Sequence, residues 1–152
     1  IEGLKRKGVL DILEEKVFKS CEPFLGICVG MQMLATKGYE NGEFLGLDWI
    51  RGEVKKIDIK NKKLKIPHMG WNVVNPVKGS RLFSDSEDEL RFYFVHSYHV
   101  VPSNSGILSS YTDYGMDFCS SFESGNIFGV QFHPESVGSQ SGVQILSRFL
   151  EY

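Results

Sequence analysis

The sequence predicts a three-layer α/β fold with inserted antiparallel strands. A short apolar run at 23–27, bounded by turn residues, is typical of a buried parallel strand. Amphipathic helical patterns lie near both ends, and the middle alternates apolar and charged residues as half-buried antiparallel strands do. With 152 residues, 41% of them apolar, and no internal repeat, 1–152 has the size of one globular domain.

The N-terminal part of the chain predicts a helix, a strand and a second helix. Residues 4–18 place apolar side chains near a 3.6-residue period, with Lys, Arg and Glu between them, which indicates an amphipathic helix. The buried strand at 23–27 follows. Helical character then resumes at Met31 and ends near Gly38.

The remaining elements are mostly strands. We predict strands at 54–59, 63–66, 90–95, 105–110, 118–122 and 127–132, and a closing helix at 143–149. The Lys-rich stretch 55–65 has two interpretations, an anion-binding patch or the solvated face and turn of a hairpin, and the second is favoured because acidic and amide residues interrupt it.

Composition excludes several classes of function. The net charge is −2, so neither nucleic-acid binding nor binding to an anionic membrane is predicted. No apolar run approaches the roughly 20 residues that a membrane-spanning helix needs. Three cysteines are too few, and odd in number, for a disulfide scaffold, which predicts a reducing compartment and hence the cytoplasm.

The most specific local motif is Gly26-Ile27-Cys28-Val29-Gly30, between a predicted strand and a predicted helix. It has the form of a nucleophile elbow with sulfur in place of oxygen. Such a tight turn needs residues without a bulky Cβ on either side of the nucleophile. The N-terminus of the following helix favours the thiolate over the thiol. The N–H of Val29 would face an oxyanion. The alternative is that Cys28 is a buried structural cysteine. Cys21 and Cys119 are not part of any such glycine-flanked motif.

A second motif supplies the base that a cysteine nucleophile requires. The mostly apolar run 129–132 is predicted to be a strand that delivers His133 at its end, followed by Pro134 and Glu135. Glu135 can accept a hydrogen bond from the imidazole and fix its tautomer. Alone, His133 could be a structural histidine. A cysteine in an elbow motif together with a His-x-Glu motif is a combination that chance rarely produces, so the two motifs support each other.

These motifs resemble those of class I (triad) glutamine amidotransferases, and the resemblance covers essentially the whole chain. It rests on the run 23–32 (PFLGICVGMQ) and on Phe-His-Pro-Glu at 132–135. Two more motifs, Pro-His-Met-Gly-Trp-Asn at 67–72 and Phe-Tyr-Phe-Val-His-Ser-Tyr at 92–98, resemble those of the glutaminase subunits of imidazole glycerol phosphate synthases.

The resemblance implies a class I amidotransferase-like sheet and a role for particular residues. Cys28 would attack the side-chain amide of L-glutamine, His133 would handle the protons, Glu135 would orient His133, and Val29 would donate to the oxyanion. The positions implied to bind glutamine are Gln32, His96, Ser97 and Tyr98.

The resemblance also implies a partner. Trp71 and Asn72 match the face that meets a (β/α)8 cyclase subunit in a heterodimer, around the passage for ammonia, although a core aromatic is the alternative for Trp71. No cofactor is implied. No metal site is predicted, because the four histidines lack partners at zinc-ligand spacing.

Two departures from the family pattern leave alternatives open. The family's earlier βα units, including its Gly-rich oxyanion strand, have no counterpart here, so we expect an N-terminally incomplete glutaminase domain. Ser136 follows Glu135 where the histidine-pathway subunits usually have Lys. The alternatives are a glutaminase of another synthase (anthranilate-type or one that amidates a surface sugar), a stand-alone γ-glutamyl hydrolase, and a non-catalytic docking module.

Overall fold

The computed structural model describes residues 1–60, 63–83 and 89–152, and it confirms an α/β fold with inserted antiparallel strands. The helices are α1 (Glu2–Arg6), α2 (Val9–Glu14), α3 (Val29–Met33) and α4 (Gln140–Phe149). The strands are β1 (Phe24–Ile27), β2 (Ala35–Gly38), β3 (Phe44–Leu45), β4 (Ile50–Lys56), β5 (His68–Pro76), β6 (Leu90–His96), β7 (Tyr98–Pro102), β8 (Leu108–Asp113), β9 (Asp117–Ser124) and β10 (Ile127–Val130).

Within the described ranges the strands form two sheets. The larger sheet has the order β1-β10-β9-β8-β5-β6, and the smaller one has the order β3-β2-β4-β7. β1 pairs with β10 in parallel, and β2 pairs with β4 in parallel, whereas the other ladders are antiparallel. The parallel pair β1–β10 has Phe24 opposite Ile127 and Ile27 opposite Val130.

Aromatic side chains fill the core beneath the larger sheet. The rings of Phe92 and Phe132 stack with centroids 4.0 Å apart, and both side chains are fully buried. Phe94 and Phe128 are fully buried in the same cluster. Burying one such side chain contributes about 1.5–3 kcal/mol relative to leaving it exposed, so this cluster fixes how α4 and β6 pack. A second cluster, around Met31, Leu34 and Phe122, anchors α3.

The predicted helix over 4–18 is confirmed as helical but is divided. α1 and α2 are separated at Gly8, whose φ of 66° is left-handed, and α2 continues as a π-helical turn over Glu15–Lys19. The closing helix α4 begins three residues earlier than predicted, because the side chain of Ser139 caps it by accepting from Gly142 N–H.

The predicted helix from Met31 to Gly38 is wrong in its second half. α3 ends at Met33, and Ala35–Gly38 is strand β2, which lies between β3 and β4. Thr36 and Gly38 are poor helix formers, and the apolar residues before them dominated the sequence pattern. Pairing with two neighbouring strands determines the conformation here, which a local pattern does not reveal.

The predicted strand at 63–66 is also wrong. This segment has no ladder, and it is held by a hydrogen bond from Tyr114 OH to Lys65 O of 2.9 Å and by packing of Leu64 against Gly115. The predicted strand at 54–59 ends at Lys56 instead. Residues 61–62 of the proposed Lys-rich hairpin lie outside the described residues.

Strands β5 and β7 were not predicted from the sequence, although both carry motif residues. β5 is nine residues long and pairs antiparallel with β6 from His68, opposite His96, to Val74, opposite Leu90. Glycine, asparagine and proline weaken its strand pattern. The predicted strand at 105–110 begins only at Leu108, after a 3₁₀ turn over Ser105–Ile107.

The turn between β1 and α3 requires a glycine at one position and not at the other. A Cβ on Gly26 would lie 2.8 Å from Met31 N and 2.9 Å from Gly30 O, which are backbone atoms that cannot yield. A Cβ on Gly30 would meet nothing within 4 Å. The prediction that both glycines are needed for close approach is therefore correct for Gly26 and wrong for Gly30.

Replacing these two glycines by alanine should have very different effects on the free energy of unfolding. We expect Gly26→Ala to lower the free energy of unfolding by about 2 kcal/mol or more, because overpacking against backbone forces β1 and α3 apart. Gly30→Ala, the matched control, should change it by less than about 1 kcal/mol, in the stabilising direction. Chemical denaturation of both variants measures the difference, and equal losses would contradict the geometry.

Candidate active site

Cys28 lies at the junction of β1 and α3, in a backbone conformation that side chains rarely adopt. Its φ is 50° and its ψ is −108°, and its N–H donates to Val130 O at 2.8 Å. Strained angles of this kind in non-glycine residues cluster at functional sites. The bond to Val130 extends the β1–β10 ladder by one residue and therefore fixes the turn on which the thiol sits.

The thiol is partly buried among hydrogen-bonding groups. Gln131 Nε2 donates to Cys28 Sγ at 3.7 Å, and the Sγ lies 4.0 Å from Val95 O. Burial raises the pKa of the Cys28 thiol above its ordinary value, while the N–H of Val29 and the Gln131 amide oppose this by hydrogen bonding. The sequence predicted that the helix N-terminus would favour the thiolate. The hydrogen bond from Val29 acts in that direction, but burial has the larger effect, so the pKa is raised.

His133 is oriented by Glu135 as the sequence predicts. After β10 ends, His133 N–H donates to Tyr93 O at 2.9 Å, which anchors the backbone. The imidazole Nδ1 lies 2.7 Å from Glu135 Oε1. Because a carboxylate only accepts, the proton sits on Nδ1 and Nε2 is the basic nitrogen. Within the described ranges, Nε2 is buried and has no hydrogen-bond partner.

The fold brings the cysteine and the histidine to one edge of the larger sheet. β1 and β10 are parallel neighbours, and Cys28 and His133 follow their carboxyl ends by one and three residues. This is the edge at which open α/β sheets build their sites. The charge of Glu135 acts on the Cys28 thiol and raises its pKa, which indicates that the carboxylate is close.

A pocket of about 320 Å³ opens beside Cys28. Its volume is at the small end of the range for ligand sites. The pocket is lined by Cys28, Val29, Gln32, Glu40, Pro67, Val95, His96, Ser97 and Tyr98. All four predicted glutamine-binding positions are therefore in contact with it. Glu40 was missed, because a single exposed glutamate carries no sequence signal until the fold brings it to the pocket.

Gln131 was also missed, although it lies within the motif that supplies His133. It is fully buried and connects Cys28 to Gln32: its Oε1 accepts from Gln32 Nε2 at 3.0 Å, while its Nε2 donates to Cys28 Sγ. Gln32 Nε2 also donates to Tyr98 O at 2.9 Å. Both N–H bonds of Gln32 are thus used, so only its amide oxygen is left for a ligand.

Trp71 and Asn72 line a different surface, a groove of about 470 Å³. The groove is lined by Leu64, His68, Met69, Gly70, Trp71, Asn72, Asp113, Tyr114 and Gly115. Trp71 is 47% exposed and Met69 is 61% exposed. Trp71 is therefore not a core aromatic, and the two side chains form an exposed apolar pair of the kind found at interfaces.

The described part of the chain contains no group of three or more His, Cys, Asp or Glu residues that could hold a metal ion. None of its helices is both long and apolar enough to cross a membrane.

The raised pKa of the thiol predicts slow alkylation at neutral pH. In Cys21→Ser protein, where Cys119 is buried with a pKa of about 12, iodoacetamide should report on Cys28 alone. Because only the thiolate reacts, we expect the rate to keep rising as the pH passes 9, the ordinary thiol value. Mass spectrometry of the Cys28 peptide measures this, and a plateau below pH 8 would contradict it.

Comparison with known proteins identifies the family. Residues 7–152 match the family described as glutamine amidotransferase class-I. Imidazole glycerol phosphate synthase subunit HisH of Pelagibacter ubique is 46% identical over 143 residues, which are 94% of this chain and 68% of that protein. The subunit of the same name from Caulobacter vibrioides is 41% identical over 150 residues, 99% of this chain and 70% of that protein.

Solved structures agree on the fold. A glutamine amidotransferase from Thermotoga maritima superposes with a TM-score of 0.59 at 23% identity, over 97% of this chain and 55% of that one. Another structure, described as a glutamine amidotransferase, gives a TM-score of 0.69 at 15% identity, over 97% of this chain and 69% of that one. The chain therefore belongs to the class-I glutamine amidotransferase family and, within it, groups with the HisH subunits of imidazole glycerol phosphate synthase.

Proposed function

We propose that this chain is a glutaminase that hydrolyses L-glutamine with a Cys28-His133-Glu135 triad. Its ammonia would pass to a (β/α)8 cyclase subunit that forms imidazole glycerol phosphate and AICAR in histidine biosynthesis. The similarity to HisH subunits supports the pathway. The observation that carries the reaction is the position of Cys28 and of the His133–Glu135 pair after two neighbouring parallel strands.

The first half of the reaction uses the Cys28 thiol and the imidazole Nε2 of His133. Cys28 Sγ attacks the carbonyl carbon of the substrate's side-chain amide while its proton passes to His133 Nε2. Glu135, bonded to Nδ1, stabilises the imidazolium that forms. The tetrahedral adduct then collapses, the C–N bond breaks, and the proton on Nε2 leaves with the nitrogen as ammonia.

The second half restores the enzyme. Water gives a proton to His133 Nε2 and attacks the γ-glutamyl thioester, and the proton returns to sulfur as glutamate leaves. A base would assist the first step, because an ordinary thiol is protonated at neutral pH and burial raises the pKa of Cys28 further.

Val29 supplies a donor for the oxyanion. Its N–H is the first of α3 and bonds the resting thiol. When sulfur bonds to the carbonyl carbon, this N–H would donate to the developing oxyanion instead of to the thiol. One such donor typically contributes about 10²–10³ in rate.

The pocket matches the charge pattern of an amino acid. We propose that Glu40 binds the α-ammonium group of glutamine, since its carboxylate is the acidic group among the pocket's lining residues. Ser97 and Tyr98 would bind the amino-acid end largely through backbone groups. Gln32 would contact the substrate through its amide oxygen, because its two N–H bonds are held by Tyr98 and Gln131.

The exposed groove is the proposed site for the cyclase. Trp71 and Met69 provide apolar contact area, and Asn72 fixes the adjoining backbone by accepting from Val73 N–H at 2.8 Å and donating to Asp113 O at 3.0 Å. Ser136 cannot form the ion pair that a lysine there would make with a partner, so apolar contact through Trp71 would have to carry more of the affinity.

The proposal is tested by glutamate release from glutamine. We expect the full-length protein to release glutamate much faster when its cyclase and the cyclase's nucleotide substrate are both added, and Cys28→Ala to lower the rate by about 10³-fold or more. Cys21→Ala and Cys119→Ala are matched controls that should retain most of the activity, because neither thiol touches the pocket.

The other outcomes discriminate between the alternatives. Fast Cys28-dependent turnover without the cyclase would indicate a stand-alone hydrolase. Turnover stimulated only by a different synthase would indicate another ammonia acceptor. Activity in the Cys28→Ala variant equal to that of the unchanged protein would refute the triad mechanism.

A further inference from the structure

Two buried histidines separate the Cys28 pocket from the exposed groove. His68 lines the groove and His96 lines the pocket, and the two rings are joined by a hydrogen bond of 3.0 Å between His68 Nδ1 and His96 Nε2. Their exposed fractions are 2% and 5%. Neither has a role in the proposed chemistry beyond the implied contact of His96 with glutamine.

The partners of these rings give the hydrogen bonds one direction. His96 Nδ1 lies 2.8 Å from Tyr98 O, which only accepts, so the proton of His96 is on Nδ1 and its Nε2 accepts. His68 must then donate from Nδ1, which leaves its Nε2 to accept from Asn72 Nδ2 at 3.2 Å. Both rings are therefore neutral, in agreement with burial, which lowers the pKa of each to about 4.

The chain of donors ends at the carbonyl that orients the residues around the thiol. Tyr98 O accepts from His96 and also from Gln32 Nε2 at 2.9 Å. Gln32 continues to Gln131, which donates to Cys28 Sγ. We name the four groups Asn72, His68, His96 and Tyr98 O the histidine relay.

We propose that His68 is a positioning residue for glutamine hydrolysis, holding His96 in the one tautomer that fixes Tyr98 O, and through it Gln32 and Gln131, against Cys28. This inference rests on the proposed glutaminase function. Without the donor at His68, only the bond to Tyr98 O favours a proton on His96 Nδ1, and the tautomer with the proton on Nε2 becomes accessible. The ring would then present a lone pair to the Tyr98 carbonyl, and the support of Gln32 would be lost.

If His68 had a purely structural role, the packing of its ring would matter and its hydrogen bond to His96 would not. Its ring is stacked between Tyr114, at 4.0 Å, and Phe94, at 4.7 Å between centroids. Phenylalanine would keep this stack and lose the donor. Asparagine would lose the stack but place an N–H where His68 Nδ1 now donates. The two substitutions therefore separate packing from hydrogen bonding.

The test compares His68→Phe and His68→Asn in the full-length protein with its cyclase. We expect His68→Phe to unfold at the higher temperature of the two but to lose about tenfold or more in kcat/KM for glutamine. We expect His68→Asn to be less stable but more active than His68→Phe. If activity ranks in the same order as stability, His68 is a packing residue and the proposal is overturned.

His99→Phe is the matched control. His99 is a buried histidine of similar exposure whose Nδ1 has no hydrogen-bond partner among the described residues, and it lies outside the relay. It should retain kcat/KM within about twofold. A loss in His99→Phe equal to that in His68→Phe would also overturn the proposal, since it would show a general sensitivity to buried substitutions.

A spectroscopic measurement does not depend on activity. The ¹⁵N chemical shifts of the histidine side chains should show His68 and His96 both neutral and protonated on Nδ1 at pH 6.5, with His96 changing to mixed tautomers in His68→Phe. A proton on His96 Nε2 in the unchanged protein would overturn the relay. Absence of glutaminase activity together with the expected tautomers would refute the proposed function and leave the relay's geometry supported.

Discussion

The pairing of β1 with β10 is the constraint on which the site depends. The ladder runs from Phe24 opposite Ile127 to Ile27 opposite Val130, and the Cys28 N–H extends it by one bond. Residues that are about a hundred positions apart in the chain are thereby placed side by side with no freedom of register. A slip by one residue would turn every side chain of the strand to the other face. The thiol, Gln131 and His133 would then no longer meet at one edge.

Around this ladder, burial and hydrogen bonding shift the pKa values of the same groups in opposite directions. Burial raises the pKa of the Cys28 thiol, and the bonds from Val29 and Gln131 only partly offset this. Burial also keeps His68 and His96 neutral. The exposed Glu135 is the hydrogen-bond partner of His133. The proposed site therefore combines a protonated thiol, an imidazole bonded to a carboxylate and two neutral buried histidines, which suits a reaction that begins by proton transfer.

The sequence predicted the parts of this arrangement that are encoded locally. The elbow around Cys28 and the His133–Glu135 pair are short motifs. Their spacing is set locally, by the tight turn in the first and by the reach of the carboxylate to the imidazole in the second. The parts that it missed depend on tertiary contacts. β2 follows from pairing with β4 rather than from the helical pattern of its residues, and Glu40 and Gln131 reach the pocket only through the fold. The link between His68 and His96 likewise depends on the register of β5 with β6.

The central claim is that Cys28 is the nucleophile and that His133 serves it. The most direct test is covalent trapping with a glutamine analogue that carries an electrophilic carbon in place of the side-chain amide. The account predicts one adduct per chain, located by mass spectrometry on the peptide that contains Cys28, prevented by excess glutamine and strongly slowed in His133→Asn. Labelling of Cys21 instead, or labelling of Cys28 at an unchanged rate in the His133 variant, would contradict it.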